Sequence, residues 1–126
     1  MLEIKNLNKY FGDNHVLKDI NLQIPSHKTT AIIGSSGSGK STLMRCINLL
    51  EIPDSGILTW EEGELDFSKK PSKKECAAFT KQTGMVFQGF NLFPHMTVLE
   101  NIIEAPVIVL KKNKAEAKID DILVIF

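Results

Sequence analysis

The residues best equipped for chemistry are Gly34-Ser35-Ser36-Gly37-Ser38-Gly39-Lys40-Ser41-Thr42. Their spacing, G-x-x-x-x-G-K-[ST], is that of a loop that cradles phosphates. Glycines within it permit backbone angles that side chains disfavour, so successive N–H groups can turn inward around a polyphosphate. A helix starting at the end of the loop adds the positive end of its dipole. Lys40 can reach β- and γ-phosphate oxygens, and the Ser41 hydroxyl is placed to ligate Mg²⁺. A Gly/Ser turn that binds nothing would need no particular flanks. This loop has the flanks the chemistry requires.

Before the loop, Thr30-Ala31-Ile32-Ile33 is a short, continuous apolar run, which predicts a strand buried on both faces of a parallel sheet. After it, Leu43, Met44, Ile47 and Leu50 follow helical spacing. Leu2 and Ile4 mark a first half-buried strand. Ile20, Leu22 and Ile24 mark a second, which Pro25 ends. Phe11 to Asn14 is turn chemistry between them, and Pro53-Asp54-Ser55-Gly56 is a tight turn before a strand at Ile57 to Trp60. Glu61-Glu62-Gly63 follows as another turn. Ser72 with Glu75 forms a capping box for a helix through Lys81. Gly84 to Phe87 predicts a short strand. Thr97 with Glu100 is a second capping box, opening a helix that Pro106 kinks or ends. Asn113 caps a last helical pattern with Ala115, Ile119, Ile122 and Leu123 on one face. Early antiparallel strands with a parallel, phosphate-binding core make a mixed α/β domain.

The 126 residues carry 15 basic and 15 acidic side chains, so no basic excess points to nucleic acid as the main ligand. The lysines from Lys69 to Lys74 are interrupted by Pro71 and Ser72 and read as a solvated loop or helix start. Cys46 and Cys76 fit neither a metal pattern nor a disulfide framework, and Cys46 is expected to be a small core residue. His15 and His27 fall in turns and are expected to be solvated. The N-terminus alternates as a strand rather than reading as a signal peptide. The apolar runs Val107 to Leu110 and Ile122 to Phe126 are too short to span a bilayer. These features predict a soluble cytoplasmic chain, able to sit against a membrane through a partner.

Gly84-Met85-Val86-Phe87-Gln88, followed by Phe90-Asn91-Leu92-Phe93-Pro94-His95-Met96-Thr97-Val98-Leu99-Glu100-Asn101, closely resembles the Q-loop segment of ATP-binding cassette (ABC) ATPases. Asn6 to Gly12, Val16 to Ile20 and Pro53 to Gly56 resemble the same family's N-terminal half. The subgroup it is most similar to serves uptake of polar amino acids such as glutamine, histidine or arginine. The resemblance implies a P-loop NTPase of the ABC type, with an antiparallel β subdomain and part of a parallel core sheet. It implies ATP and Mg²⁺ as ligands, with Gly34 to Thr42 on the nucleotide and Ser41 and Gln88 on the metal. Phe11 aligns with the aromatic that stacks on adenine; Tyr10 is the alternative, and register alone separates them. Gln88, the Q-loop glutamine, would also stand near the attacking water. The segment Gly89 to Asn101 would face membrane-spanning permease subunits, placing the chain on the inner face of the membrane. A second cassette copy would complete the family's composite sites. The family's switch histidine lies much later than His95, which is not expected to be catalytic.

The family domain is roughly twice as long. The LSGGQ-type signature, the apolar strand ending in Asp-Glu, the D-loop and the switch histidine have no counterpart in this sequence. Residues 1–126 are therefore expected to be the N-terminal portion of the domain, truncated after the Q-loop region. A non-catalytic remnant and the ATP-binding subunit of another ABC uptake system are the alternative functions. A small phosphate-loop kinase is disfavoured, because such enzymes are often Arg-rich and this chain has only Arg45.

Overall fold

The computed structural model describes residues 1–89, 91–108, 111 and 113, which fall into two compact units, Met1–Met85 and Val86–Phe126. In the first unit, β1 (Leu2–Phe11), β2 (Asn14–Ile24), β3 (Ser55–Trp60) and β4 (Gly63–Asp66) form one antiparallel sheet in the order β2-β1-β3-β4. β1 and β2 are joined by Gly12-Asp13, as the turn residues predict. Both strands run several residues beyond the apolar stretches that announce them.

The β1–β2 ladder shifts register at three places, and two bulges, at Asn6 and Asp19, disguise the strands in the sequence. Buried residues on β1 are Ile4 and Leu7, three apart rather than two, and Asn6 between them has φ +49°. On β2 the inward positions Leu17 and Ile20 are likewise three apart, with Asp19 at φ +47°. Each extra residue restores the inward face after one step out of phase, so Ile4 pairs with Leu22 and Leu7 with Ile20. Side chains satisfy the displaced backbone groups. The Asn8 amide donates to the Asn6 carbonyl and to Asp19 Oδ1, both at 2.9 Å, while Asn8 Oδ1 accepts from the Asp19 N–H at 3.1 Å. Asn21 accepts from the Asn6 N–H at 3.0 Å.

Two helices complete the core: α1 (Lys40–Ile47) and α2 (Lys73–Thr80). Ile4, Leu7, Leu17, Leu58 and Leu65 of the sheet pack with Leu43, Cys46 and Ile47 of α1, Phe67 of a 3-10 turn, and Phe79 of α2. Burying each large apolar side chain is worth ~1.5–3 kcal/mol. The face of α1 differs from its sequence pattern. Cys46 is fully buried, whereas Met44 and Leu50 are exposed, and the helix ends before Leu50 with Leu49 at φ +54°. The Ser72–Glu75 capping box forms as predicted, with the Ser72 N–H donating to Glu75 at 2.8 Å.

The expected parallel core strands are not formed. Thr30 to Ile33 and Gly84 to Phe87 have no ladder partner among the described residues, and Ile33 is 91% exposed. A strand is defined by its neighbours, and apolar β-branched composition alone does not supply them. In the second unit, α3 (Val98–Ile108) opens with the predicted Thr97–Glu100 capping box and continues through Pro106 to Ile108. The helical pattern after Asn113 lies outside the described residues.

Burial pushes the Cys46 thiol up from 9.0 to about 11. The folded state thus favours the neutral thiol. Its stabilising contribution is present below pH 9 and is lost as pH climbs towards 11. Native protein at pH 8 should therefore show one fast-reacting thiol, the partly exposed Cys76, and a second only on unfolding. Equal labelling rates for the two cysteines would contradict this core.

Candidate phosphate-binding site

The phosphate loop leads directly into α1, whose first residue is Lys40. Gly39 occupies the N-cap position with φ +90°, and a Cβ there would stand 3.2 Å from Leu17 Cδ2 and 3.4 Å from the Val16 carbonyl. The left-handed turn is what calls for glycine, and a side chain there would also press on Leu17 and Val16. The loop itself is open: Gly34 to Ser38 are exposed, and Gly39 and Lys40 half-buried. A hollow of about 150 Å³ is lined by Val16 and by Gly37 to Thr42.

Lys40 folds back over the loop. Its ammonium donates to the Gly34 carbonyl at 2.9 Å, the Ser35 carbonyl at 2.6 Å and Ser38 Oγ at 3.4 Å. All three partners are neutral oxygens, and no carboxylate pairs with Lys40 among the described residues. The first N–H groups of α1 have no partner within the helix, as at any helix start. A full positive charge and oriented N–H groups thus meet in one concave loop. That combination suits a polyanion.

Phe11 and Tyr10 end β1, at the same hairpin whose β2 residues Val16 and Leu17 abut Gly39. The two aromatics are engaged differently. Tyr10 stacks on His15 with ring centroids 3.9 Å apart and planes 11° apart, and its N–H donates to Asp54 at 2.7 Å. Phe11 is 46% exposed, with the Lys9 ammonium 5.1 Å from its ring centre. Exposure does not separate the two, since Tyr10 is 44% exposed; one ring has an imidazole on one face and the other an ammonium. His15 departs from expectation: it lies in β2, half-buried, rather than solvated in a turn. Its Nε2 lies 2.7 Å from Asn8 Oδ1. That oxygen is an acceptor in the bulge network, so Nε2 carries the proton.

Gln88 is exposed in a turn of the second unit. In the same unit Leu92 and Phe93 are 64% and 49% exposed, and Met96 is half-buried. Phe90 lies outside the described residues. Asn101 organises this loop, a role that sequence reasoning missed. Its Oδ1 accepts from the Phe93 N–H at 2.8 Å, and its amide donates to the carbonyls of Phe93, Met96 and Thr97 at 3.2, 3.2 and 2.9 Å. An asparagine four residues after a capping threonine was the available signal. His95 is exposed, edge-on to Phe93 at 6.0 Å. No described helix is long and apolar enough to cross a membrane.

Comparison with known proteins agrees with this geometry. The profile of the ABC transporter family matches residues 17–124. The L-cystine import ATP-binding protein TcyC of Bacillus subtilis (strain 168) is 50% identical over 118 residues, covering 94% of this chain and 48% of that protein. The arginine transport ATP-binding protein ArtM of the same organism is 47% identical over 125 residues, 98% of this chain and 50% of that one. The chain thus spans about half the length of these relatives. Among solved structures, the dimeric post-hydrolysis ATP-binding cassette MJ0796 bound to ADP and Pi superimposes with a TM-score of 0.75 at 30% identity, covering 98% of this chain and 55% of that one. The family match includes the whole phosphate loop and most of the sequence, and the chain belongs to the ABC transporter family.

Proposed function

We propose that this chain is an ATP-binding component of an ABC importer for polar amino acids, carrying the part of the cassette from the phosphate loop to the Q-loop. The observation that carries the nucleotide reading is the Lys40 ammonium, held over the loop by neutral oxygens alone. Gly34 to Thr42 would take the phosphates and Phe11 the adenine ring. Mg²⁺ would fit the Ser41 hydroxyl. Next to Lys40 at the start of α1, it offers a hard neutral oxygen, and Mg²⁺ typically takes few protein ligands, the rest coming from phosphate and water. When bound, the metal would neutralise phosphate charge. The amino-acid substrate class follows from relatives named for cystine, arginine and glutamine transport, the last at 48% identity.

The exposed Leu92 and Phe93 on a loop tied down by Asn101 suit a contact with permease subunits. This would place the protein on the inner face of the membrane, with a second cassette copy alongside. Recovery of the chain with a permease of another uptake class would redirect the substrate assignment.

Mg-ATP binding tests the reading directly. Lys40→Ala removes a charged hydrogen-bond donor, worth ~1.5–3 kcal/mol. ATP affinity should fall about tenfold or more by calorimetry. Equal binding by the folded variant and the unmodified chain would overturn the role of Lys40.

A further inference from the structure

Lys9 lies on β1, two residues before Phe11. Its side chain is only 13% exposed. The ammonium donates to the Ile52 carbonyl at 2.8 Å, stands 3.7 Å from the Glu51 carboxylate, and lies 5.1 Å from the centre of the Phe11 ring. Glu51 and Ile52 follow α1, whose end is closed by the Leu50 and Glu51 N–H groups on the Arg45 carbonyl, at 2.9 and 3.2 Å. One cation therefore links the far end of the helix that starts at the phosphate loop to the aromatic at the hairpin end.

We propose that Lys9 is a positioning residue for the base-stacking ring, holding one face of Phe11 so that the other is presented to a purine. The proposal rests on the nucleotide-binding reading above. Its physical basis is twofold. A cation within about 6 Å of a ring face is attracted by the ring's quadrupole. A ring fixed beforehand also loses less rotamer freedom when a base stacks on it. Tyr10 needs no such device, because His15 already covers one face of its ring.

The test uses the full 126-residue chain with Mg-ATP and with inorganic tripolyphosphate plus Mg²⁺. Lys9→Met keeps the aliphatic stem and removes the charge. It should weaken ATP binding about threefold, the scale of an exposed cation–π contact, and leave tripolyphosphate unchanged. Lys9→Arg should restore most of the loss, and in a Phe11→Leu background Lys9→Met should cost nothing further. Independently of any ligand, the Lys9 ε-methylene protons should be shifted upfield by the ring current of Phe11, and Phe11→Leu should abolish that shift. Equal losses for both ligands, no loss, or a loss that persists without the ring would overturn the proposal. So would an absent ring-current shift, which also decides the matter should Lys9→Met fail to fold. Failure of the unmodified chain to bind tripolyphosphate would instead bring down the nucleotide reading, and this proposal with it.

Discussion

Gly56→Ala should strongly destabilise the first unit and lower its denaturation midpoint by a large margin. An alanine Cβ at this position would lie 2.6 Å from Leu7 Cα, 2.7 Å from the Asn6 carbonyl oxygen and 2.9 Å from the Asn6 carbonyl carbon. These are backbone atoms, with no rotamer through which to withdraw. They belong to the β1 bulge, and β3 crosses it at the point where the pairing shifts between Lys5 and Asn8. Gly56 also has φ +108°, where a side chain costs ~1–3 kcal/mol before any clash is counted. Clash and strain together should exceed ~4 kcal/mol, against a whole-domain stability of ~5–15 kcal/mol. Trp60, the single tryptophan, packs against Phe79 with ring centres 4.8 Å apart and reports unfolding by fluorescence. Gly84→Ala is the control, since nothing stands within 4 Å of its Cβ position. Matching denaturation midpoints for the two variants would refute the close approach at Gly56.

The second large effect is on turnover. These 126 residues, assayed alone, are expected to hydrolyse ATP no faster than their Lys40→Ala variant. The sequence supplies Gly34 to Thr42 and Gln88, but no apolar run ending in Asp-Glu and no LSGGQ-type segment. Phosphoryl transfer depends almost entirely on positioning and charge stabilisation, so missing parts should abolish turnover rather than slow it. Two copies of this chain would lack the same parts and could not complete each other. Turnover near ~1 s⁻¹ or faster in a preparation free of other ATPases would show that a base within these residues had been overlooked. Adding in trans a separate segment that carries an LSGGQ-type motif and an apolar strand ending in Asp-Glu is the converse experiment, and restored hydrolysis is the expected result.

The parts legible in the sequence were those whose chemistry is local. The phosphate loop, the turn at Gly12-Asp13 and both capping boxes each depend on residues within nine positions of one another. The elements that escaped depend on distant partners. β4 offers only Leu65 as an apolar signal, and it is a strand because it pairs with β3. Thr30 to Ile33 has the opposite fate, since its composition is strand-like but no described residue pairs with it. The bulges at Asn6 and Asp19 disguised β1 and β2, because a spacing of three between inward residues breaks the period of two. His15 read as solvated for the same reason, lying in a strand whose start the broken alternation concealed. For the site, residue identity predicted Lys40 and the loop, but the Asn101 anchor appears only through its four hydrogen bonds.

The paired bulges have a consequence for how the chain folds. β1 and β2 are keyed, with the Asn6 and Asp19 bulges on either side of the Leu7–Ile20 pair. Sliding either strand by one residue would break that pair and strand the Asn8 amide without its Asp19 partner. The hairpin therefore has a single register, written into residues 2–24, before any of the phosphate loop has left the ribosome. Alone, such a hairpin is marginal, and only β3 and α1 bring it enough apolar cover to persist. Alignment comes first and stability later. When Gly39 settles against Val16 and Leu17, it docks on a surface whose phase is fixed within residues 2–24.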